Sequence, residues 1–235
     1  MSTPVHTVLN DNGAHSFFPA VRIQQSFVAA VEKKTLLWLA ERTPEWIAPD
    51  HLTVLGFAGQ CLAGACYALA RWDRRALLLG VVFLAVNWLG DSLDGTLARH
   101  RNRQRPRYGF YVDHITDTFA ALFLMGGLAV SGFVHPAIAI FMLVAFLMLS
   151  IEAYLATYTL GQFRLSYWKF GPTEIRLLLV LGNIALLRWP TATLLGRHFR
   201  LFDVGGVIAI AGMSTMLIAT AIRHTAILYR EERIS

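Results

Sequence analysis

Six long apolar stretches follow one another along the chain, and this repetition constrains the fold more than any other feature of the sequence. A helix needs about 20 mostly apolar residues to cross the hydrocarbon core of a bilayer. We therefore predict an all-α fold, a polytopic membrane helix bundle of six transmembrane helices. The predicted spans are residues 52–71, 76–98, 110–132, 136–160, 173–195 and 203–229, with the fifth broken near Pro190.

Composition favours a bundle over a single anchor. Of the 235 residues, 55% are hydrophobic and 15% are charged, which is too apolar for a soluble domain and too evenly apolar for one anchor. The net charge of +6 comes from basic residues between the apolar stretches, and they form no separate basic domain. We therefore predict membrane lipids, and no nucleic acid, as partners.

The segment ahead of the first span mixes apolar and charged residues. Between Ile23 and Arg42, Phe27, Val31, Leu37 and Trp38 lie among Lys33, Lys34 and Glu41. This pattern predicts an amphipathic juxtamembrane helix on the bilayer surface, and a helix packed on the bundle fits it equally well. We divide the chain into a cytoplasmic N-terminal segment, residues 1–48, and a six-span domain, residues 49–235. We expect no cleavable signal peptide.

The distribution of basic residues predicts the orientation in the membrane. With the N-terminus inside, all but six of the 21 Lys and Arg residues lie on the cytoplasmic side. The six on the other side are Arg71, Arg74, Arg75, Arg188, Arg197 and Arg200. Because Lys and Arg are enriched in cytoplasmic loops, we predict that both termini are cytoplasmic.

Two predicted spans carry carboxylates, although a charge near the membrane centre costs at least a few kcal/mol. Asp91 and Asp94 are three residues apart on the second span, and Asp113 and Asp117 are four apart on the third. Each pair therefore shares one helix face. The connecting loop is short, so the two helices are antiparallel neighbours and their acidic faces can meet.

Four converging carboxylates would repel one another unless cations neutralised them. Two divalent ions would balance the four charges. Oxygen ligands suit Mg²⁺, Mn²⁺ or Ca²⁺, whereas a zinc site would include His or Cys. Mg²⁺ and Mn²⁺ commonly bridge carboxylates and phosphoryl oxygens, so we predict two such ions and a phosphate-bearing substrate.

These acids belong to a longer motif. It comprises Asp91-Ser-Leu-Asp94-Gly95-Thr-Leu-Ala98-Arg99, followed by Gly109, Asp113 and Asp117. Every fixed position of the pattern DxxDGxxAR...GxxxDxxxD is filled, and on this motif the chain resembles the CDP-alcohol phosphotransferase family. The resemblance implies that Asp91, Asp94, Asp113 and Asp117 hold two metal ions, with Asp117 also a candidate base.

The resemblance also implies a pocket for CDP. Its lining would include Gly95, Ala98, Arg99, Gly109 and Thr53, the last within Pro49-Asp-His-Leu-Thr53. That segment is similar to the Pro-Asn-x-x-Thr segment usual in the family, with Asp50 in place of Asn. Small residues such as Gly95 and Ala98 also serve close helix packing in membranes, which is the alternative interpretation for them.

Two further matches resemble the choline and ethanolamine phosphotransferase branch. They are the Asp113-His114 pair and the Thr173-Glu174 pair. In that branch the matching His and Glu activate the hydroxyl of diacylglycerol, which implies that His114 is the base and Glu174 orients it. A packing role for His114 and a helix-dipole role for Glu174 are the alternatives.

We thus predict a phospholipid-synthesising enzyme that transfers a phosphoalcohol from a CDP-linked donor to diacylglycerol and releases CMP. The alternative within the family is transfer from CDP-diacylglycerol to a polar acceptor such as glycerol phosphate, inositol phosphate or serine. An ion-coupled transporter is the alternative from another class, and a membrane scaffold is a third. The resemblance also implies a homodimer, and we place the protein in a bacterial inner membrane with its site facing the cytoplasm.

Overall fold

A computed structural model describes residues 21–23, 29–164, 172–194 and 196–232. Seven helices make up most of these residues: α1 (Ala29–Arg42), α2 (Pro49–Leu69), α3 (Ala76–His100), α4 (Pro106–Ser131), α5 (Pro136–Leu160), α6 (Pro172–Arg188) and α7 (Leu201–Glu231). Four short strands accompany them: β1 (Val21–Ile23), β2 (Gln162–Arg164), β3 (Thr191–Leu194) and β4 (Arg197–Arg200). The all-α fold class predicted from the sequence is confirmed.

Among the described residues, five helices are long and apolar enough to cross a membrane: α2, α3, α4, α5 and α7. The chain is therefore an integral membrane protein. The predicted fifth span is partly wrong, because α6 ends at Arg188 after 17 residues. Four of the residues that follow, Thr191–Leu194, form β3 instead, which pairs antiparallel with β4. Pro190, which lacks a backbone N–H, lies between the helix and β3.

Proline and glycine set the ends of the spanning helices. Pro49, Pro106 and Pro136 stand at the first positions of α2, α4 and α5, where the missing N–H has no helical partner to lose. Gly132 and Gly161 follow the last residues of α4 and α5 with φ of 82° and 66°. Glycine adopts this left-handed conformation without steric cost, so both helices end where the sequence predicts.

The helix α2 packs against both α3 and α4, and glycine pairs bring the backbones together. A Cβ on Gly90 would lie 2.4 Å from the backbone nitrogen of Gly56, and one on Gly127 would lie 1.9 Å from the carbonyl oxygen of Gly64. Small residues permit such close approach between membrane helices. The contact between Gly56 and Gly90 lies beside Asp91, so it places α2 directly against the acidic part of α3.

The main apolar core lies at the other end of the bundle from the acidic residues. It surrounds Tyr67, Leu77, Leu128 and Leu186, which are almost wholly buried near the helix ends that lie away from the carboxylates. The end of the bundle that holds the carboxylates has a second, smaller apolar cluster, where α1 and the start of α2 pack on α3.

The N-terminal helix α1 packs on the bundle, which is one of the two predicted arrangements, and its position on the bilayer surface stays a prediction. Its buried face, which includes Leu36 and Ala40, packs on Leu93 and Leu97 of α3. Its opposite face leaves Val31, Leu37 and Trp38 exposed. The prediction that this helix begins at Ile23 is wrong, because that residue lies in β1, which pairs in parallel with β2.

Candidate active site

Three of the four predicted metal ligands, from α3 and α4, come together beside α2, on which both helices pack. The predicted direct packing of α3 on α4 is not seen among the described residues, because α2 packs against both of them instead. One carboxylate oxygen from each of Asp91, Asp113 and Asp117 lies within 4.8 Å of the others. An ion bound by oxygens at about 2.1 Å holds opposite ligands about 4.2 Å apart, so small side-chain rotations would complete a site. All three donors are carboxylates, and their chemistry fits a hard divalent cation.

The fourth predicted ligand, Asp94, makes different contacts. Its Oδ2 accepts a hydrogen bond of 2.6 Å from the Thr53 hydroxyl of α2, and its Oδ1 accepts one from the Gly95 backbone N–H. Asp94 lines the same cleft as Asp91 and Asp117 but lies outside the group of three carboxylates. Thr53, which the resemblance assigns to the nucleotide pocket, is thus a partner of Asp94.

A cation from α6 reaches into the carboxylate cluster. The Arg176 guanidinium lies 2.5 Å from Oδ2 of Asp91 and donates a 2.7 Å hydrogen bond to the side-chain oxygen of Asn87. The Asn87 amide in turn donates to the Gly56 carbonyl oxygen at 3.0 Å. Arg176 therefore supplies one positive charge against the negative charges of the aspartates and ties α6 to α3.

The predicted base His114 is held between two aromatic rings on α4 and α5. Its ring centroid lies 4.2 Å from that of Phe110 and 4.8 Å from that of Tyr154. Its Nδ1 lies 3.5 Å from Oδ2 of Asp113, and its side chain is 12% exposed. This packing fixes the plane of the imidazole beside a predicted metal ligand. Glu174 is buried in the first turn of α6, and its pairing with His114 stays a prediction.

Two of the residues predicted to line the CDP pocket, Gly109 and Gly95, border open space within the described part of the chain. No described atom lies within 4 Å of a Cβ built on Gly109, and the nearest atoms to one built on Gly95 belong to the Arg99 side chain, at 3.3 Å. Arg99 is exposed and donates a 3.1 Å hydrogen bond to Thr96. Ala98, half-buried on α3, comes just before it. The contacts of Gly95 therefore give no support to the packing alternative for this residue, and the space beside both glycines leaves room for a ligand.

Two polar residues of α5 and α7 pair with each other away from the group of three carboxylates. Oε1 of Glu152 on α5 lies 2.6 Å from Nδ1 of His224 on α7. The pair fastens α7 to α5.

Sequence reasoning missed several residues that hold the site together. Asn87 is a polar residue one turn before Asp91 in an apolar span. Its position was the sequence feature that could have indicated a polar partner such as Arg176. Arg101, interpreted as a topology signal, donates to four backbone carbonyls of residues 43–47. Arg105 forms an ion pair with Asp50, the residue that departs from the family pattern. Both arginines fasten the loop after α3 to the start of α2.

A polytopic helix bundle with a carboxylate cluster at one end fits a class of membrane enzyme. The sequence comparison identifies the family within that class. A family model of CDP-alcohol phosphatidyltransferases matches residues 46–226. The chain belongs to this family, which confirms the resemblance seen in the motif.

Two relatives are similar to this chain. Cholinephosphotransferase 1 of Gallus gallus is 29% identical over 185 residues, which cover 73% of this chain and 54% of the relative. Archaetidylinositol phosphate synthase of Methanothermobacter thermautotrophicus is 32% identical over 84 residues, which cover 36% of this chain and 40% of the relative. The chain thus spans about half or less of the length of each relative.

Proposed function

We propose that this protein transfers a phosphoalcohol group from a CDP-choline-like or CDP-ethanolamine-like donor to diacylglycerol and releases CMP. The observation that carries the proposal is the group of three carboxylates within 4.8 Å, embedded in the motif of the family. The match to a cholinephosphotransferase over 73% of the chain favours this branch.

Asp91, Asp94, Asp113 and Asp117 are the proposed ligands of two Mg²⁺ or Mn²⁺ ions. When bound, such ions neutralise phosphoryl oxygens and stabilise the charge that develops on the leaving phosphate. The four carboxylates and Arg176 carry a formal charge of −3, so two divalent ions bring the site close to neutrality. Asp94 would exchange its hydrogen bond from Thr53 for a metal contact or share the oxygen between them.

The remaining residues position the substrates and move one proton. Gly109 and Gly95 leave space for the cytidine diphosphate, and Arg99 offers its guanidinium to the diphosphate oxygens. The acceptor oxygen attacks the donor phosphorus in line while the bond to CMP breaks. His114 takes the hydroxyl proton, with Glu174 orienting its ring; Asp117 is the other candidate base.

The membrane setting agrees with these substrates. A CDP-alcohol arrives from water, whereas diacylglycerol moves within the bilayer, so a cleft near one membrane face serves both. The arginines from Arg99 to Arg107 favour the cytoplasmic side for that face. We propose that the protein is a homodimer in a bacterial inner membrane. We also propose that α6 crosses the membrane in addition to the five long helices.

A second candidate is transfer from CDP-diacylglycerol to a polar acceptor, favoured by the match to an archaetidylinositol phosphate synthase. The purified protein is incubated with Mg²⁺ or Mn²⁺ and radiolabelled CDP-choline, CDP-ethanolamine or CDP-diacylglycerol, each with its acceptors. We expect labelled lipid from CDP-choline or CDP-ethanolamine with diacylglycerol. Product formed only from CDP-diacylglycerol would replace the first proposal with the second, and no product from any donor would remove both.

A further inference from the structure

The N-terminal helix α1 buries one acidic side chain against the catalytic helices. Glu32 is 8% exposed and lies on the same face as Leu36 and Ala40, which pack on α3. A buried carboxylate normally has a partner of opposite charge. Among the described residues, no Lys, Arg or His forms an ion pair with Glu32, so its burial needs another explanation.

Glu32 joins three helices through one oxygen. Its Oε1 accepts hydrogen bonds from Nε1 of Trp88 at 2.9 Å and from the hydroxyls of Ser92 at 3.3 Å and Thr173 at 2.7 Å. Trp88 and Ser92 belong to α3, and Thr173 belongs to the first turn of α6. The other oxygen, Oε2, is buried without a hydrogen-bond partner in the part of the chain that the structure describes.

Each of the three donors stands next to a residue of the candidate active site. Ser92 lies directly after Asp91, and Trp88 lies one turn before it. Thr173 precedes Glu174, and Arg176, which contacts Asp91, follows on the same helix. The junction therefore fixes the start of α6 relative to the acidic part of α3.

Other polar contacts between α6 and α3 are those of Arg176 with Asp91 and Asn87. Ser92 and Thr173 lie far apart in the chain, and Glu32 brings both to one carboxylate oxygen. A carboxylate also lies favourably near the N-terminal end of α6, where backbone N–H groups lack helical partners. Hydrogen bonds to a charged acceptor are stronger than those to a neutral one, so a single side chain can hold both helices.

We propose that Glu32 is a positioning residue for the transferase reaction: it holds the start of α6 so that Arg176 contacts Asp91. The predicted loss of transferase activity rests on the proposed function, whereas the predicted role of Glu32 in holding α6 does not. It assigns to α1, outside the spanning helices, a role in the geometry of the active site.

The activity test uses the full chain in lipid nanodiscs with CDP-choline and diacylglycerol. For Glu32→Ala we expect kcat per folded molecule to fall about ten- to a hundredfold, the scale on which misplaced catalytic groups slow reactions. Glu32→Gln keeps an acceptor oxygen and should restore most of the rate. Glu41→Ala removes an exposed acid from the same helix and should match the wild type. Wild-type kcat in a folded Glu32→Ala protein would overturn the proposal.

Hydrogen exchange of backbone amides separates this proposal from the proposed function. We expect Glu32→Ala to speed exchange in residues 172–180 and to leave the middle of α4 unchanged, whichever donor the enzyme uses. If Glu32→Ala does not fold, Thr173→Val removes one donor and should give the same pattern more weakly, with a several-fold lower kcat. Unchanged exchange in both variants would overturn the positioning role, whereas altered exchange without any transferase activity would overturn only the proposed function.

Discussion

At the scale of single residues, the candidate site is a balance of charges. Asp91, Asp113 and Asp117 approach one another closely, and Arg176 offsets only part of their charge. Carboxylates in such a cleft favour either protons or bound cations. The arrangement is therefore suited to bound divalent cations.

Replacing Asp113 tests this balance directly. Asp113→Asn keeps the size of the side chain but removes one negative ligand, so we expect CMP release to fall at least about a hundredfold, since a catalytic metal supplies several kcal/mol of charge stabilisation. Binding of Mn²⁺, measured by calorimetry on the purified protein, should weaken in parallel. Glu231→Gln, at the exposed end of α7, is the matched control. Undiminished CMP release by Asp113→Asn would contradict a role for this residue in the site.

At the scale of helices, two glycine contacts decide how closely α2 approaches its neighbours. Helical periodicity predicts which residues share a face, but it does not tell which faces of two helices meet. Two neighbouring glycines of α4 illustrate this. Gly127 touches the backbone of α2, whereas a Cβ built on Gly126 would have no atom of the described residues within 4 Å.

These two positions give a matched pair of variants. Gly127→Ala places a methyl group against the Gly64 carbonyl, so we expect a loss of about 1–3 kcal/mol of stability, typical of overpacking. Gly126→Ala adds the same atoms in open space and should keep or raise the stability, since Ala favours helix over Gly by about 0.5–1 kcal/mol. Thermal unfolding in detergent measures both. Equal melting temperatures for the two variants would contradict the close contact between α2 and α4.

At the scale of the whole molecule, the site joins segments from across the chain. Asp91 and Arg176 are 85 positions apart, and Glu32 and Thr173 are 141 apart. The helices that carry them cannot shift independently without breaking these contacts. Binding or loss of ions at the carboxylate cluster should therefore change the stability of the whole bundle.

Removing divalent ions should lower the melting temperature of the intact protein. An ion that binds only the folded state stabilises it by about 2.7 kcal/mol when present at a hundred times its dissociation constant. We expect a chelator to lower the melting temperature of the wild type, measured by intrinsic fluorescence, and added Mg²⁺ or Mn²⁺ to restore it. Asp113→Asn should respond much less. A wild-type melting temperature that changes neither with the chelator nor with the added ions would contradict a metal site in the folded protein.

The sequence by itself determined the class of fold, the family and the helix faces that carry the acids. Length, apolar content and spacing are local properties, and they hold along one helix whatever its neighbours are. Local sequence also placed the C-terminal ends of α4 and α5 and the start of α5 correctly, because Gly132, Gly161 and Pro136 act on their own backbone, whereas α4 begins at Pro106, four residues before its predicted start. The motif from Asp91 to Asp117 lies on two adjacent helices, so it too could be read without the rest of the bundle.

Only the tertiary structure decided which partners the polar residues choose. Asp94 pairs with Thr53, Asp91 with Arg176 and Glu152 with His224, and each pair joins two different helices. The short α6 was missed because a hydropathy window continues across Arg188, whereas the hairpin that follows depends on the pairing of β3 with β4. Such pairings follow from how helices and strands dock in space, and a pattern along one segment carries no information about the element it will meet.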